Sequence, residues 1–313
     1  MTIIKIITWA LLSGFFFPDV SFSESLRALV LKRDVSQYNR VLDGLKQQIS
    51  AQKLSIDLEI INIDVEQEVL EGTRRKESPD LVIAIGTKSQ HFAVDQFVDI
   101  PVIFALVLNP AGTIMGSKKS AADRIMTGVL AHVDPDKYLL YAKRIQPQLK
   151  KIGLLYSTPF FKSYVSVMRS KAMLYDLEII EQQVHSKMEF NEAFLSVINK
   201  NVDVFLILPD FQLYDKKYIR YILLQAFRER IPCIGPSYAF VKAGALWGLT
   251  PEPFNIGQQV AALIVKFMHG NELPLEYAAH NELTINLVTS RALAIQIPQA
   301  ILGEAREIIT AEK

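Results

Sequence analysis

Polar and aromatic side chains recur in this chain just beyond runs of apolar residues. Arg33 and Asp34 follow "LRALVLK"; Thr87, Ser89 and Gln90 follow "DLVIAIG"; Asn109 follows "IPVIFALVL". The second half does the same: Tyr156 closes "KKIGLLY" and is followed by Ser157, Phe160 and Phe161, Asp210 and Phe211 follow "DVFLILP", and Ser237 and Tyr238 follow "IPCIGP". Hydroxyls and the free N–H groups of a helix start hold a carboxylate, Asp210 holds an ammonium group, and aromatic rings stack on a flat side chain. The set suits the binding of a small polar ligand with an apolar part. The competing readings are core packing for each ring and a helix cap for Asp210. Phe160 and Phe161 offer both roles at once, because neighbours on a helix point about 100° apart: one can be buried while the other faces a cleft.

Something must bring these residues together. The apolar runs are short, rich in β-branched residues and bounded by turn residues, as strands are. Leu26–Asp34, Leu54–Asp64, Asp80–Thr87 and Ile100–Pro110 are echoed by Leu149–Pro159, Asp176–Val184, Asp203–Asp210 and Ile231–Ser237. Even the wording recurs: "DLEII" stands at Asp57 and Asp176, and "IPVI" at Ile100 is matched by "IPCI" at Ile231. Helical periodicity lies between them over Val35–Ile49, Phe161–Leu177 and Tyr214–Arg230. Strand–helix alternation predicts parallel sheets with right-handed crossovers, and uniformly apolar strands predict sheets covered on both faces. The fold class is therefore α/β, two Rossmann-like lobes hinged near residues 128–135. Ligands of such sheets bind beyond the carboxyl ends of the strands, where Gly86 permits a close turn and Thr87 can cap the next helix. Further on, a helix is expected over Pro253–His269, with Pro253 in its first turn and Gly270 at its end. A last amphipathic helix is expected over Gln299–Ile309.

Composition narrows the function. The chain has 313 residues, 34 Lys plus Arg against 33 Asp plus Glu, and this balance argues against nucleic-acid binding. Lys5, the apolar run Ile6–Phe17 and the small residues Ser21 and Ser23 form a signal peptide over 1–23, with cleavage after Ser23 and an uncleaved anchor as the alternative. Cys233 is the single cysteine, so no internal disulfide is available, and "IPCIG" reads as a buried strand with an inert thiol. Nucleotide, hydrolase and zinc-protease motifs are absent, and the five histidines include no pair at i, i+4. No enzyme, cofactor or metal is expected. Lys118-Lys119 and Lys216-Lys217 read as solvated surface or as docking contacts to a membrane permease.

Several stretches carry a family resemblance: "PDLVIAIGT", "IPVIFALVLNP", "TGVLAHVDPDKYLLYAKRIQPQLKKIGLLYSTP", and above all "KAGALWGLTPEPFNIGQQVAALIVKFMHGNELP" and "TINLVTSRALAIQIPQAILGEAREII". In this order they resemble ABC-transporter solute-binding proteins of the type I periplasmic-binding fold, in the group with tryptophan- and tyrosine-binding members. The resemblance implies two lobes joined by a three-segment hinge, lobe one comprising 24–130 plus about 250–272 and lobe two about 131–249 plus 273–313. It also implies that the helix from Pro253 packs on lobe one, and that a monomer delivers a small-molecule ligand to an ABC permease in the inner membrane from the periplasm. A ligand sensor of the same fold and a two-lobed enzyme are the alternatives. "STPFFKSYV" and "WGLTPEP" depart from the family pattern at turns expected to face the cleft, so the ligand does not carry over with the fold.

Overall fold

The structure, a computed structural model, describes residues 25–64, 78–110 and 125–310. The expected signal peptide and Lys118-Lys119 lie outside them. Six strands form the first sheet: β1 (Leu26–Lys32), β2 (Ile56–Asn62), β3 (Leu81–Ile85), β4 (Val102–Val107), β5 (Met126–Val133) and β11 (Glu276–Ala278). Seven form the second: β6 (Lys151–Tyr156), β7 (Glu178–Gln183), β8 (Val204–Leu206), β9 (Cys233–Gly235), β10 (Trp247–Pro251), β12 (Asn281–Asn286) and β13 (Glu307–Ile309). The repeated wording has a structural counterpart. The first sheet contains the order β2-β1-β3-β4-β5 and the second β7-β6-β8-β9-β10, with every one of these neighbours parallel.

Each sheet is covered on both faces. Alternate strand residues point to opposite sides, so Val30, Ile83 and Ile103 pack with Val41, Leu45, Ile256 and Val260, while Leu29, Val82 and Phe104 pack with Ala93 on the other side. That is why all five residues of β3 are buried and why its sequence shows no alternation. Each fully buried aliphatic side chain contributes about 1.5–3 kcal/mol. The helix Pro253–Met268 does lie on the first lobe, against the helix Ser36–Ala51. Two glycines set how closely they cross: a Cβ on Gly44 would stand 1.9 Å from the Phe254 carbonyl oxygen, and one on Gly257 would stand 2.0 Å from that of Val41. Cys233 is buried, and burial pushes its thiol up to about 12, as an inert core thiol requires.

The structure departs from the expected boundaries in three places. β5 continues to Val133, so the first crossover falls at Asp134–Pro135, where Asp134 caps the next helix. β11, within the stretch assigned to lobe two, pairs in parallel with β5 of the first sheet, and the chain returns to the second sheet only at Asn281. The C-terminal stretch is a short helix, Gln299–Glu304, followed by β13, because Glu307–Ile309 finds an open edge beside β12 and pairs there. The apolar spacing at the end of the chain serves a strand as well as a helix.

Candidate ligand-binding cleft

The chain passes from one lobe to the other three times: after β5, after β10 and after β11. β5 and β11 are parallel to the rest of the first sheet and β10 is parallel to β9. All three crossovers therefore leave from carboxyl ends of strands, and the carboxyl edges of both sheets meet at the hinge. The loops that follow β1, β3 and β4 on one side and β6, β8 and β9 on the other lie at these carboxyl edges and are the candidate walls of the cleft. The crossovers are tied to one another. Glu252 N donates to the His280 carbonyl at 3.1 Å, Ala279 N donates to Gln259 Oε1 at 2.8 Å, and Lys137 Nζ donates to the Ala279 carbonyl. Glu252, 7% exposed, receives Arg40 on one carboxylate oxygen and caps the Pro253–Met268 helix through Asn255 N with the other.

On the rim of lobe one, Gly86 turns with φ of 86°, and the Tyr38 ring lies 2.4 Å from where a Cβ would be. Gly86, rather than Thr87, occupies the cap position of the helix Thr87–Gln96, and no side chain caps it. The expected Thr87 cap is corrected: Thr87 is the first helical residue, and the amides of Thr87, Lys88 and Ser89 precede the first intrahelical bond, from Gln90 N to the Gly86 carbonyl. Ser89 and Gln90 are buried, and Ser89 Oγ and Gln90 Oε1 have no hydrogen-bond partner among the described residues. Arg33 Nε donates to both oxygens of Asp64, in the segment after β2, at 2.9 and 2.8 Å. Asn109 is half-buried in the loop after β4. That loop is re-aimed by an irregularity at Leu106, whose φ of 53° shifts the β4–β5 register.

On the rim of lobe two, Asp210 is 2% exposed, and its Oδ2 accepts from Ser157 N at 2.7 Å and Ser157 Oγ at 2.8 Å. Its other oxygen is buried without a donor, and a buried acceptor left unsatisfied costs about 1–3 kcal/mol. The carboxylate thus ties the loop after β6 to the loop after β8. Thr158 caps the helix Pro159–Ala172, accepting from Phe161 N at 3.3 Å. Phe161 is buried in the core of lobe two, whereas Phe160 is partly exposed and packs against both lobes. Tyr156 is buried, and Ser237 is half-buried ahead of the short helix Tyr238–Lys242. Phe211 and Tyr238 stand 62% and 43% exposed on the rim. Ser157, Asp210 and the Phe160–Phe161 pair are thus brought to one edge, while Arg33 is paired with Asp64.

A family model described as ABC transporter substrate binding protein matches residues 36–309. The chain belongs to this family. Its members are substrate-binding proteins rather than enzymes. The tyrosine-binding protein of Clostridioides difficile (strain R20291) is 27% identical over 224 residues, a match spanning 69% of this chain and 64% of that protein's length. A ligand-free, open substrate-binding protein with adhesive properties from Clostridium difficile has the same fold, with a TM-score of 0.64 at 20% identity over 92% of this chain and 100% of that one. An ABC domain from Streptococcus pneumonia, solved in complex with L-Trp, aligns with a TM-score of 0.56 at 20% identity over 90% and 100% of the two chains.

In this substrate-binding protein, one residue of the hinge escaped the reading of the strand ends. His132, the penultimate residue of β5, is 1% exposed, and neither ring nitrogen has a partner among the described residues. Its ring lies 4.7 Å from Phe160, 5.4 Å from Phe161 and 6.0 Å from Tyr164. Tyr164 donates to the Val133 carbonyl at 2.7 Å, so strand β5 and the Pro159–Ala172 helix are joined by rings and a hydrogen bond. Burial lowers the imidazole to about 3 and keeps it neutral. The sequence signal is a histidine in the same register of β5 as Met126, Gly128 and Leu130. Among the described residues, no group of three or more His, Cys, Asp or Glu side chains could hold a metal ion.

Proposed function

We propose that this protein captures a small zwitterion with an aromatic side chain, the size of an amino acid, between its lobes and delivers it to an ABC permease of the inner membrane. The observation that carries the reading is Asp210: a buried carboxylate at the carboxyl edge of β8, one oxygen held by Ser157 and the other without a donor. A ligand ammonium group supplies that donor. Across the cleft, the Thr87 hydroxyl and the free amides at the start of the Thr87–Gln96 helix suit a carboxylate. Phe160, Phe211 and Tyr238 supply rings for the ligand side chain. The relative named for tyrosine and the fold neighbour solved with L-Trp support this ligand class. In this reading the chain is exported to the periplasm as a monomer after cleavage near Ser23, and residues 1–23 are absent from the mature protein. A thermal-shift screen against L-tyrosine, L-tryptophan, other amino acids, nucleosides and sugars tests the ligand class. A ligand at 100 times its Kd adds about 2.7 kcal/mol of stability. Stabilisation by aromatic amino acids is expected; stabilisation by sugars alone contradicts the reading.

A further inference from the structure

The helix Lys216–Arg228 starts on the cleft side of lobe two, in the loop that follows β8, and runs back along the lobe's flank. Its inner face buries Ile222 and Ala226. Beside that face, Ile219 and Leu223, half-buried against the lobe-two core, and the exposed Leu224 and Phe227 form a second apolar stripe, lining a groove of about 630 Å³ whose far wall includes Ala243, Gly244 and Thr289. Leu224 and Phe227 are 47% and 45% exposed. The charge around this stripe is predominantly positive. Residues 215–230 hold Lys216, Lys217, Arg220, Arg228 and Arg230 against Asp215, which pairs with Lys187, and Glu229, and Lys242 and Arg291 flank the far wall. All seven cations are exposed, and none forms an ion pair among the described residues. Over the whole chain, positive and negative charges nearly cancel, so this face concentrates an excess that the molecule lacks on average.

We propose that this face docks on an anionic phospholipid surface. The pattern is that of an interfacial helix: a shallow apolar stripe that enters the headgroup region and a collar of cations that meets the lipid phosphates. A second copy of the chain fits less well, because pairing these faces would set the cations of one against those of the other. The first-turn cations Lys216 and Lys217 lie at the end of the lobe where the cleft opens, so docking holds the rim of the cleft near the membrane. Each cation near an anionic surface multiplies partitioning roughly fivefold.

Co-sedimentation of the purified chain with vesicles tests the proposal. One set contains phosphatidylcholine alone and the other about one-third phosphatidylglycerol. Binding is expected only to the second set, with release at roughly 0.5 M salt. Lys216→Glu combined with Arg220→Glu should lower partitioning at least about tenfold, and Leu224→Ser with Phe227→Ser should lower it without changing the salt dependence. Lys46→Glu with Lys200→Glu makes the same change in net charge on other exposed surfaces and should leave partitioning within about twofold. Thermal unfolding of each variant reports that it is folded. Absent or equal binding to the two lipid sets, an equal loss in the Lys46/Lys200 variant, or a dimer that buries this face in sedimentation equilibrium overturns the proposal.

Discussion

His132 takes an unpartnered imidazole into a ring of aromatic side chains, and its titration gives a sign that can be checked. Its folded value is about 3, against about 6.5 when exposed. The unfolded chain therefore binds the extra proton first, and stability falls as pH drops from 6.5 towards 3. Between pH 7 and pH 5 the contribution is a loss of about 2 kcal/mol. His132→Phe keeps a ring among Phe160, Phe161 and Tyr164 and should remove that part of the pH dependence, as measured by urea unfolding at both pH values. Parallel pH profiles for the two proteins would contradict the assignment. Gly86→Ala meets two obstacles at once, a positive φ and the Tyr38 ring. It should cost about 1–3 kcal/mol by chemical denaturation. The contrast between these positions shows what single residues disclose. A Gly-Thr pair after an apolar run announces its turn, because few residues take that backbone. The Ser157–Asp210 tie depends on which loops lie side by side, and the aromatic surroundings of His132 on which helix covers β5, and no local spacing records either.

At the scale of elements, the crossing of the Ser36–Ala51 and Pro253–Met268 helices depends on two missing side chains. Gly257→Ala drives a methyl into the backbone of Val41. The helices must separate, at a cost of about 1–3 kcal/mol, seen as a lower urea midpoint with an unchanged slope. An unchanged midpoint would mean that the helices separate freely. The parallel five-strand part of each sheet was legible because each half repeats the same strand–turn–helix wording, and covered sheets force continuous apolar strands; β12, which pairs antiparallel with β10, lies beyond that repeat. β11 was not, since three residues at a sheet edge leave almost no pattern and its partner β5 lies far back in the chain. β13 was hidden for a related reason. "EII" continues the apolar spacing of the preceding helix, and only the free edge beside β12 makes it a strand.

At the scale of the molecule, two lobes linked by three short crossovers, with exposed rings on the rim, should close on the ligand by hinge bending. Small-angle scattering should show a smaller radius of gyration at saturating ligand, and an unchanged profile with proven binding would mean a cleft that does not move. The central claim is that a ligand ammonium group completes the half-satisfied Asp210 carboxylate. It is tested most directly by isothermal titration calorimetry of the ligand found in the screen against the parent protein and Asp210→Asn. The substitution keeps the shape and an acceptor for Ser157 and removes the charge. Losing one charge-assisted hydrogen bond should weaken binding by about 1.5–3 kcal/mol, roughly 10- to 150-fold, with little change in the unfolding temperature of the unliganded protein. Equal affinities in the two proteins would contradict the account and leave Asp210 as a tie between two loops.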